Sequence, residues 1–393
     1  MSNPVQTPIV ARTAQQLRDG GPATVNDLAI TLGLSRTSVE NAVAVLGDTG
    51  LIVEATAAVG RGAGRPARRY AFDVDAGAVV GVDIAAASIR VVIADLGGTV
   101  LAQQTFAGVA EERDGASKLA AVIADVHRAL GDAGLAVSRI RAIGVALPGI
   151  VDDAGRVTAS VVIPDWSGID IGSHIRQAFG CPVAVDNGVR LAAVAEHHLG
   201  VAQLVDDVLY LSVGNRIAMG LILGGRPRRG IHNAAGDIGR LAFRGIDTET
   251  GQITWRAGDT AADVFGRARG GDAAAAAEVE AFVTELAHGI ATLVLTVDPA
   301  MIVIGGGLSA AHGQLLDPLR ERLQRFIGLP FQVPIAEARL GADAAAHGAL
   351  VHAFRRHATA VYGIEGLPVP SVTPLPMDGS APSADPRLIE ERL

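Results

Sequence analysis

The first 75 residues combine short helical patterns of apolar positions with clear start and stop signals. The pattern predicts a first helix over Ile9–Arg18. Thr24 is placed to cap a second helix, with Asp27 three residues later as its capping-box partner. Gly33 supplies the left-handed residue that ends this helix. The spacing therefore predicts two successive helices joined to a third by a tight turn.

A third helix, Arg36–Asp48, is predicted to begin after Ser35 and to bury Val39, Val43 and Leu46. Its outer positions near the N-terminal end are polar. These positions are Ser35, Arg36, Thr37, Ser38 and Asn41. In a helix-turn-helix, such positions reach base edges in the major groove, where arginine pairs with guanine and asparagine with adenine. The pattern therefore predicts that this helix reads DNA.

A short predicted strand, Leu51–Val53, is followed by a basic segment that contains no acidic residue between positions 56 and 70. Its arginines are Arg61, Arg65, Arg68 and Arg69. The stretch Gly64–Pro66 resembles the core of an AT-hook, in which an extended backbone lets arginine enter the minor groove of A·T-rich DNA. We interpret residues 1–75 as a winged helix-turn-helix that binds DNA. A solvated linker at 60–69 and a protein-binding trihelical module are the alternatives.

Residues 76–360 show two series of strands, each with a hairpin at its start and helices between the strands. The predicted elements are Val79–Ile84, Ser88–Asp95, Val100–Phe106, a helix near 116–133, Ile140–Ala146, Leu209–Gly214, a hairpin through Gly224–Gly225, the helix Ala281–Val297 and the strand Met301–Ile304. This order predicts an α/β fold of two lobes around a cleft, of the actin-like ATPase type. Arg226, Arg228 and Arg229 fall at the hairpin tip and are expected to be solvated.

We place the first lobe at residues 76–190 and the second at 191–360, with a helix near 342–358 returning to the first lobe. Residues 361–393 are rich in proline, serine and acids, which predicts a flexible tail. The chain carries a net charge of −8 and one cysteine, Cys181, which excludes an internal disulfide and a cysteine-cluster zinc site. No apolar run reaches the ~20 residues of a membrane span. We expect a cytoplasmic protein that does not enter a membrane.

An ordered set of motifs resembles the ROK family of repressors, open reading frames and kinases. The motifs are GVDIAAAS, GVALPGIVD, IPDW, VDNGVR, YLSVGN, NAAGDIGRL, DPAMIVIGGGLS and LGADAAAHGA. The resemblance covers the chain from the N-terminal helices to about residue 358. It implies a sugar kinase-like body, and family members with an N-terminal winged helix are generally transcription regulators.

The chain departs from the family's kinases at both phosphate loops. The first normally has two glycines and a threonine after its aspartate, but here Asp83 is followed by Ala85, Ala86 and Ala87. Methyl groups therefore crowd a turn whose backbone should approach phosphate. The second loop has lost its glycine-rich cradle and contains Arg216, either as an anion partner or as part of a surface ion pair.

The catalytic base of the family's kinases is an aspartate that takes a proton from the sugar hydroxyl. Gly188 occupies that position here, and the preceding Asp186 is expected to point away from the cleft. The family's zinc-binding histidine is replaced by Arg240, and residues 241–260 contain no cysteine. We therefore expect no phosphoryl transfer, no metal and no cofactor.

The resemblance places a ligand site in the cleft between the lobes. Its candidate residues are Val162, Asn187, Asp237, Arg240 and Arg216. Because hexose hydroxyl partners are missing, an acidic or less polar metabolite is expected, and the alternative is that no small ligand binds.

The leading hypothesis is a DNA-binding transcriptional repressor with a degenerate sugar kinase-like domain. Its partners would be a double-stranded operator with an inverted repeat and a second copy of the chain, as a homodimer or a dimer of dimers. The alternatives are a sugar kinase with an appended DNA-binding head and a scaffold whose N-terminal unit binds protein.

Overall fold

Three helices open the computed structural model, which describes residues 6–55, 67–239, 241–243, 247, 249, 251–308 and 313–375 of the chain. They are α1 (Gln6–Gly20), α2 (Val25–Leu32) and α3 (Arg36–Asp48). Thr24 and Asp27 form the predicted capping box, and Gly33 ends α2 in the left-handed conformation at φ 64°. Ser35 caps α3 by accepting a hydrogen bond from the Ser38 amide. The local signals in the sequence are therefore confirmed at these helix ends.

A small antiparallel sheet packs with these helices. Its strands are β1 (Ala23–Thr24), β2 (Ile52–Ala55) and β3 (Arg69–Phe72), in the order β1-β3-β2. The predicted loop between β2 and β3, with Arg61 and Arg65, lies outside the described residues.

The first lobe contains a five-stranded sheet in the order β10-β7-β4-β5-β6. Its elements are β4 (Ala78–Ile84), β5 (Ser88–Asp95), β6 (Val100–Ala107), α4 (Gly115–Asp132), β7 (Ile140–Leu147), the hairpin strands β8 (Ile150–Val151) and β9 (Val157–Ala159), α5 (Ile171–Phe179), β10 (Val183–Asn187) and α6 (Gly188–His198). Strands β4, β7 and β10 run parallel, so their carboxyl ends meet at one edge. That edge faces the cleft.

The second lobe repeats this plan, with the strand order β13-β12-β11-β14-β15. Its elements are β11 (Val208–Val213), β12 (Ile217–Leu223), β13 (Arg226–Pro227), α7 (Ala261–Arg269), α8 (Ala273–Val297), β14 (Met301–Gly305), α9 (Leu316–Ile327), β15 (Ile335–Glu337) and α10 (Ala344–Arg356). Helix α8 is long and apolar enough to cross a membrane by length and composition. Its buried face, which includes Val283, Leu286 and Ile290, belongs to the core of this lobe.

Helix α10 leaves the second lobe and packs against β4, β7 and α6. Glycines make this approach possible. A side chain on Gly144 of β7 would bring its Cβ within 1.8 Å of the Ala349 carbonyl oxygen. One on Gly348 would come equally close to the Leu191 carbonyl oxygen of α6. Helix α10 is therefore held at backbone distance from both neighbours, as a rod that crosses the first lobe.

The prediction of a flexible tail from residue 361 is wrong for its first part. Helix α11 (Ala358–Tyr362) follows α10, and residues 363–375, here called the C-terminal strap, pack back on the molecule. The Thr373 backbone exchanges hydrogen bonds with Gly98 and Val100 at 3.0 and 3.1 Å. Leu367 is buried in the same hydrophobic cluster as Leu17 of α1. Burial of apolar side chains against α1 stabilises this segment despite its polar composition. Residues 376–393 lie outside the described part of the chain.

Candidate functional site

The cleft between the lobes has a volume of about 440 Å³. The carboxyl ends of β4, β7 and β10 form one wall, and β11 with the start of β12 forms the other. Its lining is mostly aliphatic and glycine backbone, with a few polar side chains. These are Asp83, Ser160, Asn187, Tyr210, Ser212, Arg216 and Asp237. A concave, largely apolar site with a few polar groups is typical of small-ligand binding.

The alanine turn between β4 and β5 is held by backbone contacts. The Ala85 amide donates to the Ser88 carbonyl at 2.9 Å, and the Ala86 carbonyl accepts from the Ala110 amide at 3.0 Å. The Ser88 hydroxyl accepts a hydrogen bond from Arg90 at 2.7 Å. Ser88 is not among the residues that line the cleft. The turn therefore presents Ala85 to the cleft, and the Ser88 hydroxyl does not line it.

Asn187 lies at the cleft, but its side chain is largely occupied by the backbone. Its Oδ1 accepts from the amides of Val189 and Arg190 at 3.0 and 3.1 Å, and its Nδ2 donates to the Gly149 carbonyl at 2.9 Å. The Asn187 side chain therefore serves mainly as the N-cap of α6. Gly188 follows at the cleft wall, where an added Cβ would be 3.8 Å from Asp83 Oδ1. The position has room for a side chain and has none.

Asp83 forms part of a charged cluster at the base of the cleft. Arg90 lies between two carboxylates, with Nη1 3.8 Å from Asp83 Oδ2 and Nε 3.5 Å from Asp343 Oδ1. Burial raises the pKa of Asp83 to about 7; Arg90 opposes this shift and Asp343 adds to it. Arg90 thereby links the first lobe to the residue that precedes α10. Sequence reasoning did not identify Arg90 or Asp343, because their contact spans more than 250 positions.

The other predicted ligand residues are only partly brought together. Val162, Arg216 and Asp237 all line the cleft, with Asp237 exposed. Burial lowers the pKa of Arg216, which nevertheless remains a cation. Arg240 lies outside the described residues. Within the described residues, no three histidine, cysteine or acidic side chains are grouped as metal ligands.

Behind the cleft, Asp186 and two arginines form a buried ion network. Asp186 points away from the cleft and pairs with Arg190 and, at 3.4 Å, with Arg229 Nε. Arg229 also binds Asp153 at 2.7 Å and the Val151 carbonyl at 3.1 Å. The expectation that Arg229 is solvated is therefore wrong, because its guanidinium group binds carboxylates and a carbonyl of the first lobe. Asp186 faces cations and is not a base for a ligand in the cleft.

The polar positions of α3 are placed as the helical pattern predicts. Arg36, Thr37 and Asn41 are exposed, and Ser35 and Ser38 are joined through their hydroxyls at 2.8 Å. Arg36 pairs with Glu40 at 2.9 Å. These side chains form one polar surface at the N-terminal end of α3.

The two described arginines of the basic segment differ. Arg68 is exposed and lies 3.6 Å from Glu54. Arg69 donates to the Pro22 carbonyl and is half-buried, with its Nε shielded from solvent. Arg69 therefore joins β3 to the residue before β1, and Arg68 presents its charge to solvent.

Taken together, the two lobes, their parallel-edged sheets and the intervening cleft define an actin-like fold of the sugar kinase type. The cleft has room for a small ligand, and its wall presents Gly188, which has no side chain, and Ala85 of the turn after β4. The ROK family profile matches residues 79–252 and 240–355. The chain belongs to the ROK family.

Known members include both regulators and kinases. The chain is 22% identical over 342 residues to the xylose repressor of Caldicellulosiruptor bescii, covering 78% of this chain and 85% of the repressor. It superposes on a ROK family transcriptional regulator, a homologue of the E. coli MLC protein, with a TM-score of 0.71 at 22% identity, over 91% of this chain and 98% of that one. A ROK hexokinase from Thermus thermophilus gives 0.60 at 29% identity, over 71% and 98%.

Proposed function

We propose that this protein is a DNA-binding transcriptional regulator whose sugar kinase-like body binds an effector and does not phosphorylate it. The observation that carries the proposal is the exposed polar end of α3, on a three-helix unit with a small sheet, joined to a body with Gly188 at the base position. The N-terminal unit then acts as a winged helix-turn-helix. The regulator neighbour covers 91% of the chain and the hexokinase 71%, which supports a regulator over a kinase.

Two kinds of contact with DNA are expected. Arg36, Thr37 and Asn41 would contact base edges in the major groove, with Ser35 and Ser38 at the helix start near the phosphates. Arg68 and the arginines of the basic segment, Arg61 and Arg65, would contact phosphates and the minor groove. To contact a base, Arg36 must give up its ion pair with Glu40. The loss of that ion pair reduces the net free energy that the base contact contributes to binding.

The cleft supplies the regulatory input. A ligand held by Asp237, Arg216 and the remaining amide hydrogen of Asn187 would bridge the two lobes. A change of lobe angle would reach the N-terminal unit through α10 and the C-terminal strap, which share one hydrophobic cluster with α1. We propose repression of an inverted-repeat operator by a homodimer, since a two-fold protein matches a two-fold site.

Selection of bound fragments from a genomic DNA library with the purified chain tests this proposal. The expected result is a small set of fragments that share an inverted repeat, lost from the selection when Asn41→Ala or Arg36→Ala replaces the wild type. Arg325→Ala is the matched control, because Arg325 is an exposed, ion-paired arginine on α9, away from the DNA-binding unit. Recovery of unrelated fragments by all four proteins would contradict the proposal.

A further inference from the structure

A second cavity, of about 350 Å³, lies where α10 ends. It shares no lining residue with the cleft between the lobes. The last two turns of α10 contribute His352 and Arg356 to its wall, and His357 follows them. Strand β10, the β8–β9 hairpin and α5 complete the wall. We call this cavity the α10 pocket.

The lining of the α10 pocket holds more arginines than carboxylates. Its cations are Arg176, Arg229 and Arg356, and it also contains two histidines. Arg176 and Arg356 make no ion pair with any residue that the structure describes. Two exposed cations therefore face the same concave surface without a direct ion pair, although Asp170 lies nearby, where hydrogen bonds from Ser173 and then the charge of Arg176 lower its pKa.

The acidic residues of the pocket are already engaged. Asp153 pairs with Arg229 at 2.7 Å. Asp170 caps α5 by accepting from the Ser173 amide and hydroxyl, both at 2.9 Å, and these bonds lower its pKa. In the described structure neither carboxylate forms an ion pair with Arg176 or Arg356, and Asp170 interacts with Arg176 only as a nearby charge. The local balance therefore favours an added negative charge.

The histidines of the pocket provide an independent observation, because one of them has a buried ring nitrogen without a hydrogen-bond partner among the described residues. The Nε2 atom of His357 is buried and has no hydrogen-bond partner among the described residues. Burial lowers the pKa of His352 to about 4, with Asp186 opposing and Arg229, Arg355 and Arg356 adding to the shift. Burial also lowers the pKa of His357; its contact with the Val183 backbone opposes the shift, and Arg356 and Arg176 add to it. The arginines thus impose a positive potential on both rings.

We propose that the α10 pocket binds a phosphate-type dianion, either inorganic phosphate or a small phosphomonoester. Arginine forms strong charge-assisted bonds with phosphate oxygens, and a buried imidazole nitrogen adds a donor once it is protonated. The pocket and the cleft meet the same helix, and their nearest lining residues on α10, Ala345 and His352, are about 10 Å apart at 1.5 Å per residue. An anion in the α10 pocket would therefore contact α10, the helix that connects the cleft to the C-terminal strap.

Calorimetric titration of the full chain with sodium sulfate, against sodium chloride at matched ionic strength, tests the pocket directly. Sulfate is expected to bind saturably with a Kd of about 1 mM or tighter. Arg176→Ala and Arg356→Ala should each weaken binding by about tenfold, and Arg356→Lys by less. Arg325→Ala, which removes an equal charge elsewhere, should leave the affinity unchanged. Absence of saturable binding, or equal affinity in both alanine variants and the wild type, would overturn the proposal.

The same titration separates the two sources of the anion. Tighter binding of glycerol 3-phosphate than of inorganic phosphate would identify a phosphomonoester site, and equal binding an inorganic phosphate site. Because a bound dianion favours a protonated imidazole, sulfate affinity should increase from about pH 8 to about pH 6, and less so in His357→Asn. An identical pH dependence in wild type and variant would remove His357 from the site. Circular dichroism without anion confirms that each variant is folded.

Discussion

At the level of single residues, Gly188 is the main reason to expect no catalysis. It begins α6 beside Asp83, with space for a side chain, and we propose that it occupies the position of the catalytic base in the family's kinases. The nearby carboxylates form ion pairs with other residues. Asp186 pairs with Arg190 and Arg229, and Asp83 pairs with Arg90. A sugar hydroxyl in this cleft would therefore find no general base in the expected place.

We predict that the protein does not phosphorylate common hexoses with ATP. A coupled assay of ADP release should give the same rate with and without glucose, mannose or xylose. Gly188→Asp should not restore turnover by itself, because the alanine turn at Ala85–Ala87 still lacks the phosphate cradle. Steady hexose-dependent turnover that disappears in Asp237→Ala would show that the cleft is a kinase site.

Asp83 gives a second prediction at this scale, in the pH dependence of stability. Burial raises its folded pKa to about 7 from an ordinary value of 3.8. Its contribution to folding is therefore complete below pH 3.8 and is lost as the pH rises through about 7. Asp83→Asn keeps the shape and cannot ionise. Its Tm relative to the wild type should therefore rise between about pH 5 and about pH 8, and a constant difference would mean that the pKa of Asp83 is not raised.

At the element scale, α3 and the basic segment should contribute differently to DNA binding. Loss of Arg36 or Asn41 removes a base contact, so each alanine variant should lose about 1–3 kcal/mol on the operator and tolerate more sequences. Arg68→Ala should weaken operator and scrambled DNA more evenly and reduce the salt dependence. Fluorescence anisotropy at several salt concentrations measures both effects. Unchanged operator affinity in Arg36→Ala and Asn41→Ala would mean that α3 does not read the site.

The C-terminal strap is the element that fixes α1 to the body. Arg18 is only 3% exposed and donates to the Pro368 carbonyl at 2.8 Å. Removing a buried hydrogen-bonding cation leaves that carbonyl unpaired, so Arg18→Ala should destabilise the protein by about 2 kcal/mol. Urea unfolding measures the loss. Arg12→Ala is the control on the same helix, since exposed Arg12 binds the Leu32 carbonyl within the N-terminal unit, and equal losses would contradict a special role for the strap.

The elements themselves could be predicted from local sequence. Capping residues such as Thr24 and Ser35 act within four positions, so they signal helix ends without knowledge of the fold. The cleft wall with Val162, Asn187 and Gly188 followed from the family motifs. Local and family patterns therefore gave the two lobes and the position of the cleft.

At the scale of the whole molecule, contacts between distant segments could not be predicted. Arg90 meets Asp343, and Arg229 enters a network around Asp186, across long stretches of chain that leave no periodic trace. The C-terminal strap has the composition of a disordered tail, yet Leu367 is buried because α1 offers it an apolar surface. These contacts depend on tertiary packing, which composition and spacing do not encode.

A continuous series of contacts joins the cleft to the N-terminal unit. The cleft touches the start of α10, α10 continues into α11 and the C-terminal strap, and the strap holds α1. Tyr362 of α11 adds an edge-on contact with Phe72 of β3 at 6.3 Å. The N-terminal unit is therefore packed on the body, and on the function proposed here its DNA affinity would depend on the position of α10.

The ratio of operator affinity to scrambled-DNA affinity, measured with the purified full chain by anisotropy, shows whether this protein binds DNA sequence-specifically. We predict a ratio of about 10³ or more at physiological salt, with both affinities falling steeply as the salt concentration rises. A ratio near one, or binding that does not depend on salt, would contradict the assignment of this protein as a sequence-specific DNA-binding regulator.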